Sequence, residues 1–402
     1  MKRVVITGMG TINALGHTVP DTFAALAEGR CGIGPLMFRD ADRLAIKIGA
    51  QVQNFDAAGR FTRQQLSLYD PFTQFALGAA QEAIDQSGLD LQGHLAERAG
   101  VILGTAGGGV STWDDSYRTV YEDGKNRVHP FVVPRLMNNA AASHISMQFG
   151  IKGPSFTVST ACASSNHAMA QAFQMVRAGL APVMISGGSE SMLCFGGVKA
   201  WEGLRVMSPD GCRPFSATRN GMVQGEGAAI FVFEDLDHAK ARGADILCEI
   251  RGFAMTSDAA DVVMPSQDGA ARAMAGALAD GGINPEDVGY INAHGTGTAA
   301  NDKTECAAIH DVFGDQATKL MVSSTKSMHG HVIGGTGAIE LLACVMALRD
   351  GVIAPTIGYD RPDPECALDV VPNQARRADI DVALSNAFAF GGLNAVLALA
   401  RL

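Results

Sequence analysis

The chain has 402 residues, of which 47% are hydrophobic and 18% charged, enough apolar mass for a large core shared by two lobes. A net charge of -10 argues against nucleic acid as a general partner, because phosphate binding needs a basic face. No apolar run approaches the ~20 residues of a membrane span, and the start lacks a signal-peptide pattern, so a soluble cytoplasmic protein is expected.

In chain order, the pattern predicts a strand over Arg3–Thr7, a helix over Tyr69–Gln86, and strands over Gly100–Gly104, Ser155–Thr160, Val183–Ser186 and Ala228–Phe233. The order then begins again near residue 246. Ile246–Phe253 reads as a strand, Gly269–Ala279 as a helix, Val288–Ala293 as a strand, Asp302–Val312 as a helix and Met321–Ser324 as a strand. Two further strands follow, Asp381–Ala387 and Asn394–Ala400. Alternation of this kind implies an α/β fold of mixed sheets covered by helices. The restart suggests two similar, tightly packed lobes, 1–245 and 246–402. The glycine clusters Gly8–Asn13, Gly104–Gly109 and Gly295–Thr298 lack the full spacing of nucleotide loops, so no nucleotide cofactor is expected.

Chemistry concentrates at strand ends. The strand Ser155–Thr160 runs into Ala161-Cys162-Ala163-Ser164, and a helical pattern then extends to Gly179. That places the thiol in the first turn of a helix, where the N-terminal field favours thiolate. The other cysteines, Cys31, Cys194, Cys212, Cys248, Cys306, Cys344 and Cys366, form no CxxC or metal-like spacing. They read as reduced thiols, and no metal is expected. His294-Gly295-Thr296-Gly297-Thr298 leaves a second strand, offering an imidazole and the hydroxyls of Thr296 and Thr298. Ser323-Ser324-Thr325-Lys326-Ser327-Met328-His329-Gly330-His331 leaves a third. Ser385-Asn386-Ala387-Phe388-Ala389-Phe390-Gly391-Gly392-Leu393-Asn394 forms a fourth.

This set closely resembles the thiolase-fold β-ketoacyl synthases, particularly the type II elongating synthases that act on acyl carrier protein. The resemblance runs from Val4-Val5-Ile6-Thr7-Gly8 to Asn394. It implies a five-layered αβαβα fold and a homodimer. Cys162 would be the nucleophile, His294 and His331 the paired histidines, Lys326 the lysine and Glu340 the buried carboxylate. The backbone N–H groups of Cys162 and Phe390 would form the oxyanion hole, with Phe390 as gate. Asp302 and Glu305 are expected to orient the helix of the second lobe. Lys326 has the alternative of pairing with Glu340 structurally, and His294 and His331 that of packing. His329 is expected to be peripheral, and the remaining histidines to be surface or packing residues.

The implied reaction is decarboxylative Claisen condensation of an acyl thioester with malonyl-acyl carrier protein, with substrates carried on phosphopantetheine and no other cofactor. Trp201, Thr296 and Thr298 would line the pantetheine and malonyl side. Gly107 stands where many type II synthases carry a bulky aliphatic, which is expected to open room for a long or rigid acyl chain. Val263 replaces a threonine near the pantetheine arm. Ala389 replaces a glycine beside the gate, and is expected to stiffen it. Arg63, Lys125, Arg127 and Arg205 remain for docking an acidic carrier, beside an exposed apolar set at Leu66, Leu68 and Tyr69. The ending Ala387–Asn394 resembles synthases of specialised chains, such as nodulation-type and polyene-type ones. Alternatives are the catalytic half of a heterodimer with a chain-length factor, a simple acyl-Cys transferase or thioesterase, and a non-catalytic interaction protein.

Overall fold

The computed structural model describes all 402 residues. Ten strands form one sheet: β1 (Val4–Asn13), β2 (Gly100–Gly104), β3 (Ser155–Val158), β4 (Val183–Glu190), β5 (Gly227–Asp235), β6 (Cys248–Ser257), β7 (Val288–Asn292), β8 (Met321–Ser323), β9 (Val382–Ala389) and β10 (Leu393–Ala400). Their spatial order is β8-β7-β9-β10-β6-β1-β5-β4-β2-β3. From β1 outward the pairings run antiparallel to β5, antiparallel to β4, then parallel to β2 and β3. From β6 outward they repeat the same sequence through β10, β9, β7 and β8. Within the sheet, the halves are joined where Val4–Ile6 of β1 pairs with Cys248–Ile250 of β6.

The helices that matter are α1 (Pro71–Ser87), α2 (Val110–Tyr121), α3 (Ala140–Phe149), α4 (Ser164–Arg177), α5 (Phe195–Gly203), α6 (Gln267–Gly281), α7 (Ala299–Phe313) and α8 (Thr336–Asp350). α1 covers β1 and β5 on one outer face, and α6 covers β6 and β10 on the other. α4 and α8 lie between, each touching strands of both halves. The result is five layers, α-β-α-β-α. Sequence explains the middle layer: α8 is buried from Thr336 to Leu348 without a polar face, as a helix enclosed on all sides must be. No helix is long and apolar enough to cross a membrane.

The first glycine cluster is strand, not loop. β1 continues through Gly8 and Gly10 to Asn13, longer than the Arg3–Thr7 expected, because α1 lies directly on its backbone. A Cβ at Gly10 would sit 2.0 Å from the Ala79 carbonyl oxygen, and one at Gly8 2.1 Å from that of Ala83.

A second correction concerns the expected apolar docking set. Tyr69 is buried against Phe61 and His144, while Leu66 and Leu68 are half-buried on the core. A group of exposed large apolar residues lies elsewhere, on α2 and the segments after it: Trp113, Tyr117, Tyr121, Phe131, Val133 and Met137. Trp113 and Tyr117 stack at 5.2 Å along the helix. Nearby β3, an edge of the sheet, exposes Phe156.

Gly10→Val drives a branched side chain into the α1 backbone, which cannot retreat without lifting off the sheet. The expected loss is at the top of the about 1–3 kcal/mol range for overpacked cores or beyond it. Urea denaturation of this variant beside wild type measures it.

Candidate active site

Cys162 stands at a strand-to-helix elbow. β3 ends at Val158, and Ala161 is forced to φ +49°, in the left-handed region costly for a residue with a Cβ. Ser164 holds that strain: its hydroxyl accepts from Thr160 N at 2.9 Å and donates to the Ala161 carbonyl at 2.7 Å. The thiol lies two residues ahead of Ser164, the first residue of α4, rather than within the first turn. It is 5% exposed. Burial pushes the thiol up to about 11, with Lys326 and the backbone N–H groups of Phe390 and Cys162 pulling the other way. The expectation of a resting thiolate is thereby corrected: desolvation outweighs the helix terminus.

His294 leaves β7 into a turn anchored by carboxylates. Glu305 accepts the His294 and Gly295 N–H groups at 2.8 and 2.7 Å. It also takes an N–H from the Asn386 side chain at 3.1 Å. Asp302 accepts Phe215 N at 2.8 Å and Gly297 N at 3.2 Å. These two acids of α7 position the histidine turn itself, so their work is more direct than orienting a helix.

Lys326 follows β8 and is fully buried. Its Nζ donates to the His294 carbonyl at 2.5 Å, lies 3.4 Å from His294 Nδ1 and pairs with Glu340. His331 Nδ1 accepts from Ile333 N at 3.1 Å and lies 3.0 Å from Thr336 Oγ1. These contacts settle both tautomers by chemistry. A backbone N–H can only donate, so His331 Nδ1 is bare and Nε2 carries the proton. An ammonium likewise only donates, which leaves the proton of His294 on Nε2. Burial, then Lys326, hold both imidazoles well below the usual histidine range, so both are neutral at pH 7. Burial pushes Glu340 up to about 8, against the ammonium beside it.

The Cys162 sulfur and one nitrogen of each histidine converge within 4.8 Å of one another. The two rings stand edge to face, 5.5 Å apart. Three such donors could also grip a metal ion, but both bare ring nitrogens are engaged by Ile333 N–H and Lys326, leaving only N–H groups for the cleft. The arrangement offers a nucleophile beside two neutral hydrogen-bond donors.

The cavity above them measures about 180 Å³ and is lined by Trp201, Met222, Val263, Thr296, Thr298, Phe388, Ala389 and Phe390 among others. Trp201, Thr296, Thr298 and Val263 face it. Ala389 is ordinary strand, paired with Leu393, while Gly391 and Gly392 carry the positive φ values of +84° and +67°. The alanine imposes no left-handed strain on the gate. Trp201 stacks on Phe390 at 5.9 Å instead.

Gly107 does not line the cavity, and its missing side chain leaves no vacancy. A Cβ there would fall 2.2 Å from Met192 Cε, whose methyl fills the space. Arg63, Lys125, Arg127 and Arg205 are exposed and outside the cavity, with Lys125 paired to Asp123 at 3.5 Å. His329 is buried behind the site, bonded to Thr325 Oγ1 at 2.9 Å, and does not reach the cavity.

Sequence reasoning missed Glu190. It accepts Thr105 Oγ1 at 2.9 Å and the N–H groups of Ala106, Gly107 and Gly334 at 2.6, 3.2 and 3.1 Å, and burial pushes it up to about 7. Its one signal was an acid closing an otherwise uncharged strand. Thr336 and the Ile333 N–H were missed because nothing in their residue types marks them as partners of His331.

Comparison with known proteins identifies the family. The model for the beta-ketoacyl synthase N-terminal domain matches residues 1–239, and that for the C-terminal domain residues 247–360. The chain is 47% identical to nodulation protein E of Rhizobium sp. (strain N33) over 397 residues, covering 99% of this chain and 98% of that protein. It is 43% identical to 3-oxoacyl-[acyl-carrier-protein] synthase 2 of Synechocystis sp. over 408 residues, covering 100% and 98%. Among solved structures, the ishigamide ketosynthase/chain length factor superposes with a TM-score of 0.96 at 34% identity, covering 100% of this chain and 99% of that one.

A thiol near 11 makes a specific kinetic demand. Alkylation of Cys162 by iodoacetamide should climb about tenfold per pH unit from 7 to 9, following the thiolate fraction. Lys326→Met should slow it at every pH, since that charge favours thiolate. A plateau near pH 7, read by mass spectrometry of the Cys162 peptide, would contradict the assignment.

Proposed function

From the premise that the chain belongs to the beta-ketoacyl synthase family, we propose that it elongates acyl chains on acyl carrier protein, with Cys162 as nucleophile and His294 and His331 as the donors that drive decarboxylation. The observation that carries these roles is the pair of Nε2–H tautomers beside the thiol.

The thiolate of Cys162 attacks the acyl thioester carbonyl. The oxygen that becomes negative is held by the N–H groups of Cys162 and Phe390, and the carrier sulfur leaves as a thiol, taking up the proton that the Cys162 thiol released through solvent on ionising. Malonyl thioester then enters with its thioester oxygen on the two Nε2–H groups. The bond to the carboxylate breaks, CO2 departs, and the electron pair becomes an enolate stabilised by those donors. The enolate carbon attacks the acyl-Cys162 carbonyl, a carbon–carbon bond forms, and the carbon–sulfur bond breaks to return the thiolate. No electrons leave the substrates, so no redox cofactor is called for. Lys326 keeps both imidazoles neutral and fixes one tautomer. A transferase that only moved acyl groups would gain nothing from two such donors.

In this reading lobe 1–245 supplies the thiol and lobe 246–402 the histidines and lysine. Arg63, Lys125, Arg127 and Arg205 attract an acidic carrier, and Thr296, Thr298 and Trp201 receive its arm. The edge of β3 and the aromatic stripe of α2 fit a second subunit, because an unpaired strand edge beside exposed aromatics invites association. A copy of this chain is the simplest occupant, and a chain-length-factor-like subunit the alternative. All eight cysteines are free thiols, as suits the cytoplasm.

Incubation with acyl carrier thioester should add the acyl mass to wild type and nothing to Cys162→Ala. His294→Ala and His331→Ala should still acylate but lose β-ketoacyl product by about 100-fold or more. Acylation without product in wild type, even with a partner subunit added, would leave the transferase reading standing.

Light scattering of the purified chain should give twice its mass of 41.9 kDa. Phe156→Asp combined with Tyr117→Arg should return it to monomer.

A further inference from the structure

Resting on the condensing reading above, we propose that Glu190 is a positioning residue for His331, a carboxylate strut that holds the histidine's donor turn against the other half of the fold and so keeps the ring proton on Nε2. The chain of contacts is short. His331 Nδ1 takes its hydrogen bond from Ile333 N–H at 3.1 Å. In presenting that N–H, Ile333 stands at φ +47°, a left-handed conformation that a β-branched residue adopts only where its surroundings impose it. The next residue supplies the constraint: Gly334 N–H donates to Glu190 Oε2 at 3.1 Å.

Glu190 has little freedom to move. It is the last residue of β4 and fully buried, and both its oxygens are engaged by the opposite turn. Oε1 takes the Thr105 hydroxyl at 2.9 Å and Gly107 N–H at 3.2 Å, and Oε2 takes Ala106 N–H at 2.6 Å beside that of Gly334. One carboxylate thus joins the turn after β2, in the half that carries the thiol, to the turn after His331, in the half that carries the histidines. The two turns also touch directly, since a Cβ at Gly334 would fall 2.3 Å from Ala106 N. Ala106 is tied in turn to the cysteine elbow, its carbonyl accepting the Ser159 hydroxyl at 3.2 Å. Glu190 does not line the cavity above the thiol, so its path to the reacting atoms runs through the turn and His331.

The test separates two half-reactions: acyl transfer to Cys162, read by mass, and release of CO2 from malonyl carrier by the acylated enzyme. Glu190→Ala should still acylate but lose decarboxylation about 100-fold, in kcat rather than KM, as for one misdirected oxyanion donor. In a His331→Ala background the same change should cost less than about threefold, because the contact it serves is already gone. Equal losses in the two backgrounds would assign Glu190 to the fold alone and overturn the strut. Decarboxylation by Glu190→Ala within about threefold of wild type would overturn it as well. If Glu190→Ala does not fold, Glu190→Asp carries the test under the same two criteria, keeping the charge but lacking the methylene needed to reach both turns. Glu190→Gln should recover most of the rate, since one oxygen still accepts from Ala106 and Gly334 while the Thr105 hydroxyl turns to accept from the amide. Glu190→Gln as slow as Glu190→Ala makes charge the cause, and that too is fatal to the strut. Failure of wild type to release CO2 from malonyl carrier would instead overturn the condensing reading on which the strut rests.

Discussion

One buried charge organises this site. Lys326 has no solvent contact, and its ammonium is shared among the His294 carbonyl, His294 Nδ1 and Glu340. Burying such a pair gives little net stability, because the desolvation cost can match or exceed the attraction. Its return is chemical. The ammonium forbids a proton on His294 Nδ1, depresses both imidazoles and lowers the thiol. Glu340 is what makes the charge tolerable there, and it sits on α8, the helix enclosed on every side. The middle layer of the fold is thus tied to the electrostatics of the cleft.

The repeated strand pattern explains how the parts arrive together. Corresponding strands of the two halves end at the same face: β3 delivers Cys162, while β7 and β8 deliver His294 and Lys326. α4 and α8, packed between the sheets, fix the distance between these ends. Each turn is then pinned by groups outside its own loop, as Glu305 and Asp302 of α7 pin residues 294–297. Donors aimed in advance need no reorganisation when charge develops.

The parts legible in the sequence were those set by residue type over short range. Gly100–Gly104 and Val288–Asn292 announce themselves by β-branched, apolar runs, and Cys162, His294, Lys326 and His331 by the unusual company they keep. What was not legible depends on contacts between distant segments. Met192 and Gly107 are 85 positions apart, and nothing in either segment says that one fills the other. Tyr69 reads as surface until α3 covers it, and the helix α2, whose aromatic side is the outer one, has no counterpart among the elements read from the sequence. The tautomer of His331 rests on a backbone N–H, which carries no sequence signature at all.

The state of the thiol follows from magnitudes. A helix terminus contributes up to about 2 kcal/mol in partly buried geometry, roughly 1.5 pKa units by the usual conversion. Burial of Cys162 leaves it near 11 even with Lys326 and two amide donors assisting. Burial thus favours a neutral thiol between neutral imidazoles, with the Lys326 ammonium as the charge that pulls toward thiolate. That neutrality imposes an order on the reaction. A standing thiolate would repel the malonyl carboxylate from the very donors meant for its thioester. Once Cys162 is acylated the sulfur cannot ionise, and the malonyl carboxylate meets the Lys326 ammonium, partnered by Glu340, with no thiolate opposing it.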